Sequence, residues 1–217
     1  MSSSKSYAVR RRPGQDRSKK RVASILDAAK KLIAERGIEP ITMTQVAKEA
    51  GMGLTALYRY FPNKSSVIYE LSAQMLEQDR SGVLIPALET EIEVSVDEFF
   101  IETSKLYVKV HLEEPHRIPL RMAIQSDAEL LSFDLQDTQD NAEILANKIA
   151  SLAKVKKLDK LKDFFLLFLN LLASTTLLMA YTNDEKAAGK LLDTFLTMSL
   201  REVHSILEEG QSVDPQI

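Results

Sequence analysis

Two short helices joined by a glycine-containing turn are the feature that most constrains what this chain folds into. The segment ITMTQVAKEAG carries a complete helix start signal, because Thr42 is a good N-cap and Gln45, three residues later, closes a capping box. Gly51 suits the left-handed position that ends this helix. A second helix is predicted over residues 54–60, and Pro62 prevents its continuation. The pattern predicts a helix-turn-helix.

The second short helix carries polar and aromatic side chains that a core does not need. Leu57 and Phe61 lie four residues apart and are predicted to point inward together. This orientation leaves a polar and aromatic set at the surface, namely Thr55, Tyr58, Arg59 and Tyr60. Hydroxyl groups bind phosphates, and an arginine binds a phosphate or a guanine edge. The exposed face is therefore typical of a DNA-binding surface.

Charge is distributed unevenly along the chain. The net charge is only −3, yet residues 1–64 hold 14 lysines and arginines against 5 aspartates and glutamates. The other 153 residues keep the remaining 14 basic and 26 acidic side chains. A basic head on an acidic body favours nucleic acid as a partner, although basic heads also bind membranes and acidic proteins.

A dense set of residues within 25–71 follows one recognisable pattern, namely Ala28-Ala29, Gly37, Thr42, Val46-Ala47, Ala50-Gly51, Leu57-Tyr58, Tyr60-Phe61 and Lys64. With these residues the segment resembles the DNA-binding domain of the tetracycline-repressor (TetR) family. Two positions depart from the family pattern. The usual Ser or Thr at the cap of the third helix is Gly53, and the frequent His before Phe is Tyr60.

The resemblance implies DNA contacts at particular positions. Tyr58, Tyr60 and Lys64 match positions that grip the DNA backbone, and Thr44, Leu54, Thr55 and Arg59 match positions that touch bases or nearby phosphates. A local role competes for some of them, since Thr44 can simply solvate its helix and Tyr58 can pack on the first helix. That amphipathic helix is predicted from Ser18 onward, and Gly37 suits the left-handed position that ends it. The basic arm of Arg10, Arg11 and Arg12 either enters a minor groove or stays solvated.

The whole chain is predicted to be all-α, with a helix-turn-helix head and a larger helical body. We expect a flexible basic arm over 1–16, a DNA-binding domain over 17–64 and a ligand-binding and dimerisation domain over 65–217. Body helices are predicted over 64–80, near 95–113, from Pro115 to about 125, after the polar stretch 126–141 to about 153, and over 164–180 and 187–207.

The resemblance also implies a ligand cavity in the body, whose occupancy is relayed to the head through the helix predicted over 64–80. Aromatics, a methionine and a few polar groups are the usual lining of a small-molecule pocket. The candidate lining residues are Phe100, Tyr107, His111, Arg121, Met122, Gln125, Phe133, Phe168 and Thr175. Because Arg121 is the only cation among them, we expect an uncharged or anionic amphipathic ligand. The alternative is that most of them are ordinary core.

The segment FFLLFLNLLASTTLLMA, residues 164–180, has no charge and approaches the length of a membrane span. Four polar residues interrupt it, no aromatic-basic belt flanks it, and a helix apolar on all sides also suits the centre of an oligomer. We therefore predict no membrane insertion but a homodimer of paired helices. The candidate interface residues are Phe164, Leu167, Leu171, Leu178, Leu191, Phe195 and Met198.

Catalysis finds little support in the sequence. There is no cysteine, and His111 and His116 of HLEEPH point about 140° apart on a helix that Pro115 breaks. No cofactor, metal site or enzymatic activity is predicted. We expect a cytoplasmic, nucleoid-associated bacterial repressor that binds a palindromic double-stranded operator and a small-molecule effector. The alternatives are a TetR-like DNA binder controlled by a protein partner or acting architecturally, and an enzyme or membrane protein.

Overall fold

The computed structural model describes residues 16–89, 95–155 and 158–211, and every regular element in these ranges is helical. The prediction of an all-α chain is confirmed. The α-helices are α1 (Asp16–Arg36), α2 (Met43–Glu49), α3 (Leu54–Tyr58), α4 (Lys64–Asp79), α5 (Ile85–Glu89), α6 (Val96–Glu113), α7 (Arg117–Ser126), α8 (Ala128–Ala153), α9 (Leu158–Ala180) and α10 (Glu185–Gln211). A π-helical turn, Arg80–Leu84, separates α4 from α5.

The chain divides into two compact units, and their limits differ from the predicted boundary after residue 64. The first unit runs to Glu77 and also takes in Glu114–Leu131, while the second holds the other residues. The head is larger than predicted because α4, α7 and the start of α8 contribute to its apolar core. These contributions are Val67, Ile68, Leu71 and Met75 from α4, Leu120 and Ile124 from α7, and Leu130 from α8.

The local signals that the sequence predicts at the start of the head are confirmed. Gly37 has a φ of 75° and donates its N–H to the carbonyl of Ile33 at 2.8 Å, so α1 ends there. Thr42 and Gln45 form the reciprocal capping box: the Thr42 N–H donates to Gln45 Oε1 at 2.9 Å, and the Gln45 N–H donates to Thr42 Oγ1 at 3.3 Å. Gly51, with a φ of 64°, leads the chain out of α2.

The third helix is shorter than predicted, because α3 ends at Tyr58 and not at residue 60. Its N-cap, Gly53, provides no side-chain hydrogen bond, and the backbone N–H groups of Tyr60 and Phe61 both donate to the Leu57 carbonyl. The helical path therefore tightens into a turn before Pro62. The next helix begins as expected, because the Ser66 N–H donates to Asn63 Oδ1 at 2.8 Å.

The second unit has its core among α6, α8, α9 and α10. Aromatic rings form a continuous cluster there: the ring centroid of Phe100 lies 5.5 Å from that of Phe165 and 4.9 Å from that of Phe168. Phe168 in turn stacks on Phe195 at 5.2 Å. Such contacts stabilise a core beyond simple burial of area. They also fix the rotation of α9, which leaves its opposite side outside this core.

Most of the polar stretch 126–141 is helical, although the sequence did not predict a helix there. It forms the first half of α8, whose start is capped by Asp127: its Oδ1 accepts the N–H groups of Glu129 and Leu130 at 2.9 and 3.1 Å. Its polar side chains bond one turn apart, as Asn141 Nδ2 does to Asp137 Oδ2 at 2.9 Å. Hydrogen bonds between its own polar side chains therefore help to support the first half of α8.

The capping box predicts a measurable stability contribution. Thr42→Ala leaves the Gln45 N–H without its side-chain acceptor, and we expect a loss of about 1 kcal/mol in unfolding free energy. The control is Thr44→Ala, which removes an exposed threonine from the same turn of α2 but breaks no cap. Urea unfolding is followed for both variants at one protein concentration, because dimerisation would make stability concentration-dependent. Equal stability of the two variants would contradict the capping role.

Candidate nucleic-acid interface and dimer face

The helix-turn-helix buries its apolar side and exposes its polar side. Leu57 and Phe61 are completely buried, and Val46 and Ala47 of α2 lie in the same apolar cluster. The predicted DNA-contacting side chains of α2 and α3 are at the surface. Exposed are Thr44, Leu54, Thr55, Tyr58 and Arg59, whereas Tyr60 is half-buried and packs against the cluster.

The exposed side of the turn and of α3 suits a polyanion. Residues 50–64 contain no aspartate or glutamate, so no carboxylate of this segment opposes an approaching phosphate. Thr55 and Tyr58 provide hydroxyl donors, and Arg59 provides a guanidinium with five N–H donors. These groups lie on and beside α3, and because α3 is short, most of it can face a groove of the DNA. The arrangement can bind a phosphate backbone and hydrogen-bond to base edges.

Lys64 differs from the other predicted DNA contacts. Its Nζ donates to the carbonyls of Ile38 and Glu39, at 3.1 and 3.0 Å, and its side chain is half-buried. The ammonium therefore has partners within the protein before any DNA is bound. The remaining predicted contacts, Arg10, Arg11 and Arg12, lie outside the described residues.

The predicted pocket residues do not form a single set within either unit. Arg121, Met122 and Gln125 belong to the first unit, where Arg121 is buried and the other two are exposed. The second unit holds Phe100, Tyr107, His111, Phe133, Phe168 and Thr175. Of these, Phe100 and Phe168 are members of the aromatic core, Phe133 is exposed and Thr175 is half-buried. The lining of a ligand site therefore stays a prediction.

His111 has an environment that the sequence did not reveal. Its ring stacks on Tyr107 with centroids 4.1 Å apart, and its Nδ1 lies 3.0 Å from the Tyr107 carbonyl. Its Nε2 lies 3.4 Å from Oδ2 of Asp79, the last residue of α4. The imidazole is buried, so it is a constrained polar group inside the second unit rather than a surface or rim histidine. Asp79 is distant in sequence, and periodicity alone could not pair the two.

A second group of paired side chains, which the sequence did not reveal, lies before and within α7. Arg117 is buried, and its Nε donates to Glu114 Oε2 at 2.8 Å. Burial by itself raises the pKa of the Glu114 carboxyl, but the Arg117 hydrogen bond and charge outweigh it, so that pKa lies below its usual value. Burial also lowers the pKa of the neighbouring His116. These side chains therefore satisfy one another's polar groups and stabilise the start of α7.

An apolar stripe of α9 and α10 is exposed in the isolated chain. Leu167, Leu171, Leu178 and Met198 expose between 53% and 65% of their surface. The three α9 leucines recur at helical spacing, and Tyr181 just after α9 extends the stripe. Phe164 and Leu191 are half-buried. Phe195 differs from the prediction, because it is buried in the core against Phe168 and not on this face.

α9 is also the one helix in the described ranges that is long and apolar enough to cross a membrane, by length and composition only. A buried helix of a water-soluble protein meets the same criterion. One side of α9 packs in the core of the second unit through Leu161, Phe165, Phe168 and Leu172. In the same ranges, no group of three or more His, Cys, Asp or Glu residues is placed to hold a metal ion.

Comparison with known proteins assigns both parts of the chain. Residues 25–71 match the family model of bacterial regulatory proteins of the tetR family, and residues 95–204 match that of the tetracyclin repressor-like C-terminal domain. An HTH-type transcriptional regulator of Staphylococcus aureus (strain USA300) is 47% identical over 45 residues. That match covers 21% of this chain and only 24% of the length of the relative.

Solved structures share the fold over most of the chain. Salmonella enterica GusR has a TM-score of 0.65 at 18% identity, covering 87% of this chain and 96% of its own. The fatty acid degradation regulator FadR from Bacillus halodurans has a TM-score of 0.66 at 16% identity, covering 86% and 97%. A complex of SmeT with triclosan has a TM-score of 0.63 at 17% identity, covering 84% and 91%. Identities this low show the fold alone.

The family follows from the two model matches together with the geometry of the head. The C-terminal match alone spans half of the chain, and the N-terminal match spans α2, α3 and the turn between them. The exposed hydroxyl, aromatic and guanidinium groups lie on those helices. The chain therefore belongs to the TetR family of bacterial helix-turn-helix transcriptional regulators.

Proposed function

We propose that this regulator is a dimeric repressor that leaves its operator when a small molecule binds to its body. The DNA-binding part of this proposal rests on one observation. The exposed face of α2 and α3 has hydroxyl donors and a guanidinium. The excess of basic residues over 1–64 supports the same role, because neutralising phosphates releases bound counterions.

The proposed DNA contacts follow from which side chains are exposed. α3 enters the major groove, where Arg59 and Thr55 reach base edges or adjacent phosphates and Leu54 lies against the bases. Thr44, Tyr58 and Tyr60 contact the flanking backbone through their hydroxyl groups. Backbone contacts set the register of the helix on the duplex, and base contacts select the sequence.

The proposed dimer forms through the exposed stripe of α9 and α10. An isolated chain that leaves Leu167, Leu171, Leu178 and Met198 in water retains a large unfavourable apolar surface. A two-fold arrangement buries this stripe against its own copy and presents two heads to one operator. A palindromic site with half-sites about 34–36 Å apart then matches the protein. A DNA-binding dimer of this kind would be cytoplasmic and associated with the nucleoid.

The proposed effector is an uncharged or anionic amphipathic molecule. Support comes from SmeT, a protein of similar fold that has been solved with triclosan and is described as the repressor of a multidrug efflux pump of Stenotrophomonas maltophilia. Induction also requires that the ligand bind the DNA-incompetent dimer more tightly, because equal affinity for both states shifts nothing. Tyr107 is the proposed polar handle in the second unit.

One observation favours a second candidate function, a TetR-family regulator controlled by a protein partner or acting architecturally. The rings of Phe100, Phe168 and Phe195 pack on one another in the core of the second unit. Phe100 and Phe168 therefore occupy, with their own side chains, space that a ligand would need. A regulator with a filled body has no small-molecule response and receives its signal at the surface.

The effector proposal is tested by release of operator DNA. The operator is first selected from random duplexes, and fluorescence anisotropy then follows its release in a screen of uncharged, anionic and cationic amphipathic compounds. We expect inducers among the first two classes, with potency reduced about tenfold by Tyr107→Ala, equivalent to about 1.4 kcal/mol. Inducers whose potency this substitution does not change would place the pocket elsewhere. A screen without any inducer would favour the second candidate function.

The proposed backbone contact of Tyr58 is tested by removing only its hydroxyl group. We expect Tyr58→Phe to weaken binding about three- to tenfold on operator and random duplexes alike, because the loss of one hydrogen bond costs about 0.5–1.5 kcal/mol. Tyr69→Phe removes the hydroxyl of a half-buried tyrosine of α4 that is not among the proposed contacts, and it serves as the control. Wild-type affinity of Tyr58→Phe for all duplexes would show that the hydroxyl makes no such contact.

The proposed dimer face is tested by introducing a charge. Leu171→Glu would bury an unpaired carboxylate in the interface, and we expect this substitution to cost several kcal/mol and to give monomers at micromolar concentration. Leu152→Glu on α8 is the matched control, because Leu152 is exposed to a similar extent (49% against 53% for Leu171) but lies outside the stripe. Sedimentation velocity distinguishes the species. A monomeric wild-type protein would contradict the dimer.

A further inference from the structure

The hydrogen bonds of Lys64 join the two ends of the helix-turn-helix. Lys64 is the first residue of α4, and its Nζ donates to the carbonyls of Ile38 and Glu39 at 3.1 and 3.0 Å. Those two residues form the turn that follows α1 and precedes α2. The side chain therefore closes a loop of the backbone that contains all of α2 and α3.

The turn that receives the ammonium also sets the start of α2. The Ile38 carbonyl accepts the Ile41 N–H at 3.3 Å, and buried Ile41 directly precedes the capping box of Thr42. Pro40 has no N–H with which to satisfy a carbonyl. The turn lies just past the C-terminus of α1, where the partial negative charge of the helix dipole favours a cation.

We propose that Lys64 is a positioning residue for DNA binding, which holds the turn at Ile38 and Glu39 and thereby fixes α2 against the start of α4. An ammonium has three N–H donors, and two of them are used within the protein. Bonds from a charged donor are stronger than those between neutral groups. A DNA phosphate would have to share the third donor or displace an existing bond.

This role and a phosphate contact predict different behaviour. A lysine that binds a phosphate is free in DNA-free protein, and its removal lowers the slope of log Kobs against log[salt] by about 0.9. A lysine that positions the turn is engaged without DNA. Its removal leaves the number of phosphate contacts, and so the slope, nearly unchanged. The proposal rests on the DNA-binding function of the head but on no particular base contact.

The first test uses the wild-type protein without DNA. Reductive methylation at low extent, followed by peptide mass spectrometry, compares Lys64 with Lys48, which is an exposed lysine of α2. We expect Lys64 to react at least about tenfold more slowly, because its amine must leave two carbonyl acceptors before it reacts. Equal rates for the two lysines would overturn the proposal. This arm involves no variant and no operator, so it stands even if the proposed DNA contacts fail.

The second test compares Lys64→Met with Arg59→Met, each of which removes one positive charge from the head. We expect Arg59→Met to reduce the salt slope and Lys64→Met to weaken binding without changing it. Amide hydrogen exchange should show the Ile41 N–H exchanging about tenfold faster in Lys64→Met, equivalent to about 1.4 kcal/mol. A slope reduced as far as in Arg59→Met, or an unchanged Ile41 exchange rate, would overturn the positioning role.

Discussion

The burial of Leu57 and Phe61 is the interaction on which the DNA-binding surface depends. A helix of five residues such as α3 is not stable alone, because forming its first turn fixes several residues for a single hydrogen bond. Its stability must come from packing, and these two side chains are completely buried in the core of the first unit. Each contributes roughly 1.5–3 kcal/mol of apolar transfer free energy on burial. The same contact fixes the rotation of α3 and so decides that Thr55, Tyr58 and Arg59 are exposed.

A short helix without a side-chain cap also needs its ends held, and the surrounding chain supplies this. The reciprocal caps of Thr42 with Gln45 and of Asn63 with Ser66 lie at the starts of α2 and α4, on either side of α3. Core residues from α4, α7 and the start of α8 complete the apolar cluster beneath. The head is therefore larger than its helix-turn-helix, because two short helices and the turn between them cannot bury enough apolar surface by themselves.

The head was predictable from the sequence largely because its signals are local. The capping box at Thr42, the left-handed glycine at Gly37 and the inward pair Leu57 and Phe61 all act within a few residues, and the structure confirms each. Non-local pairings were not predictable. The Lys64 ammonium binds carbonyls 25 and 26 residues away, and His111 approaches Asp79 on another helix. The polar half of α8 was missed because hydrogen bonds between neighbouring turns, not an apolar stripe, support it.

The sequence of α9 is apolar all round because both of its sides call for apolar residues. One side packs Phe165, Phe168 and Leu172 into the core of the second unit, while Leu167, Leu171 and Leu178 face outward. A surface helix that packed only into the core of its own unit would have polar residues on its outer side. The exposed leucines recur at helical spacing along α9, and Met198 of α10 is exposed as well. The outer side of α9 therefore has the composition of a second core. We propose that a copy of the same chain covers this outer side by a two-fold contact.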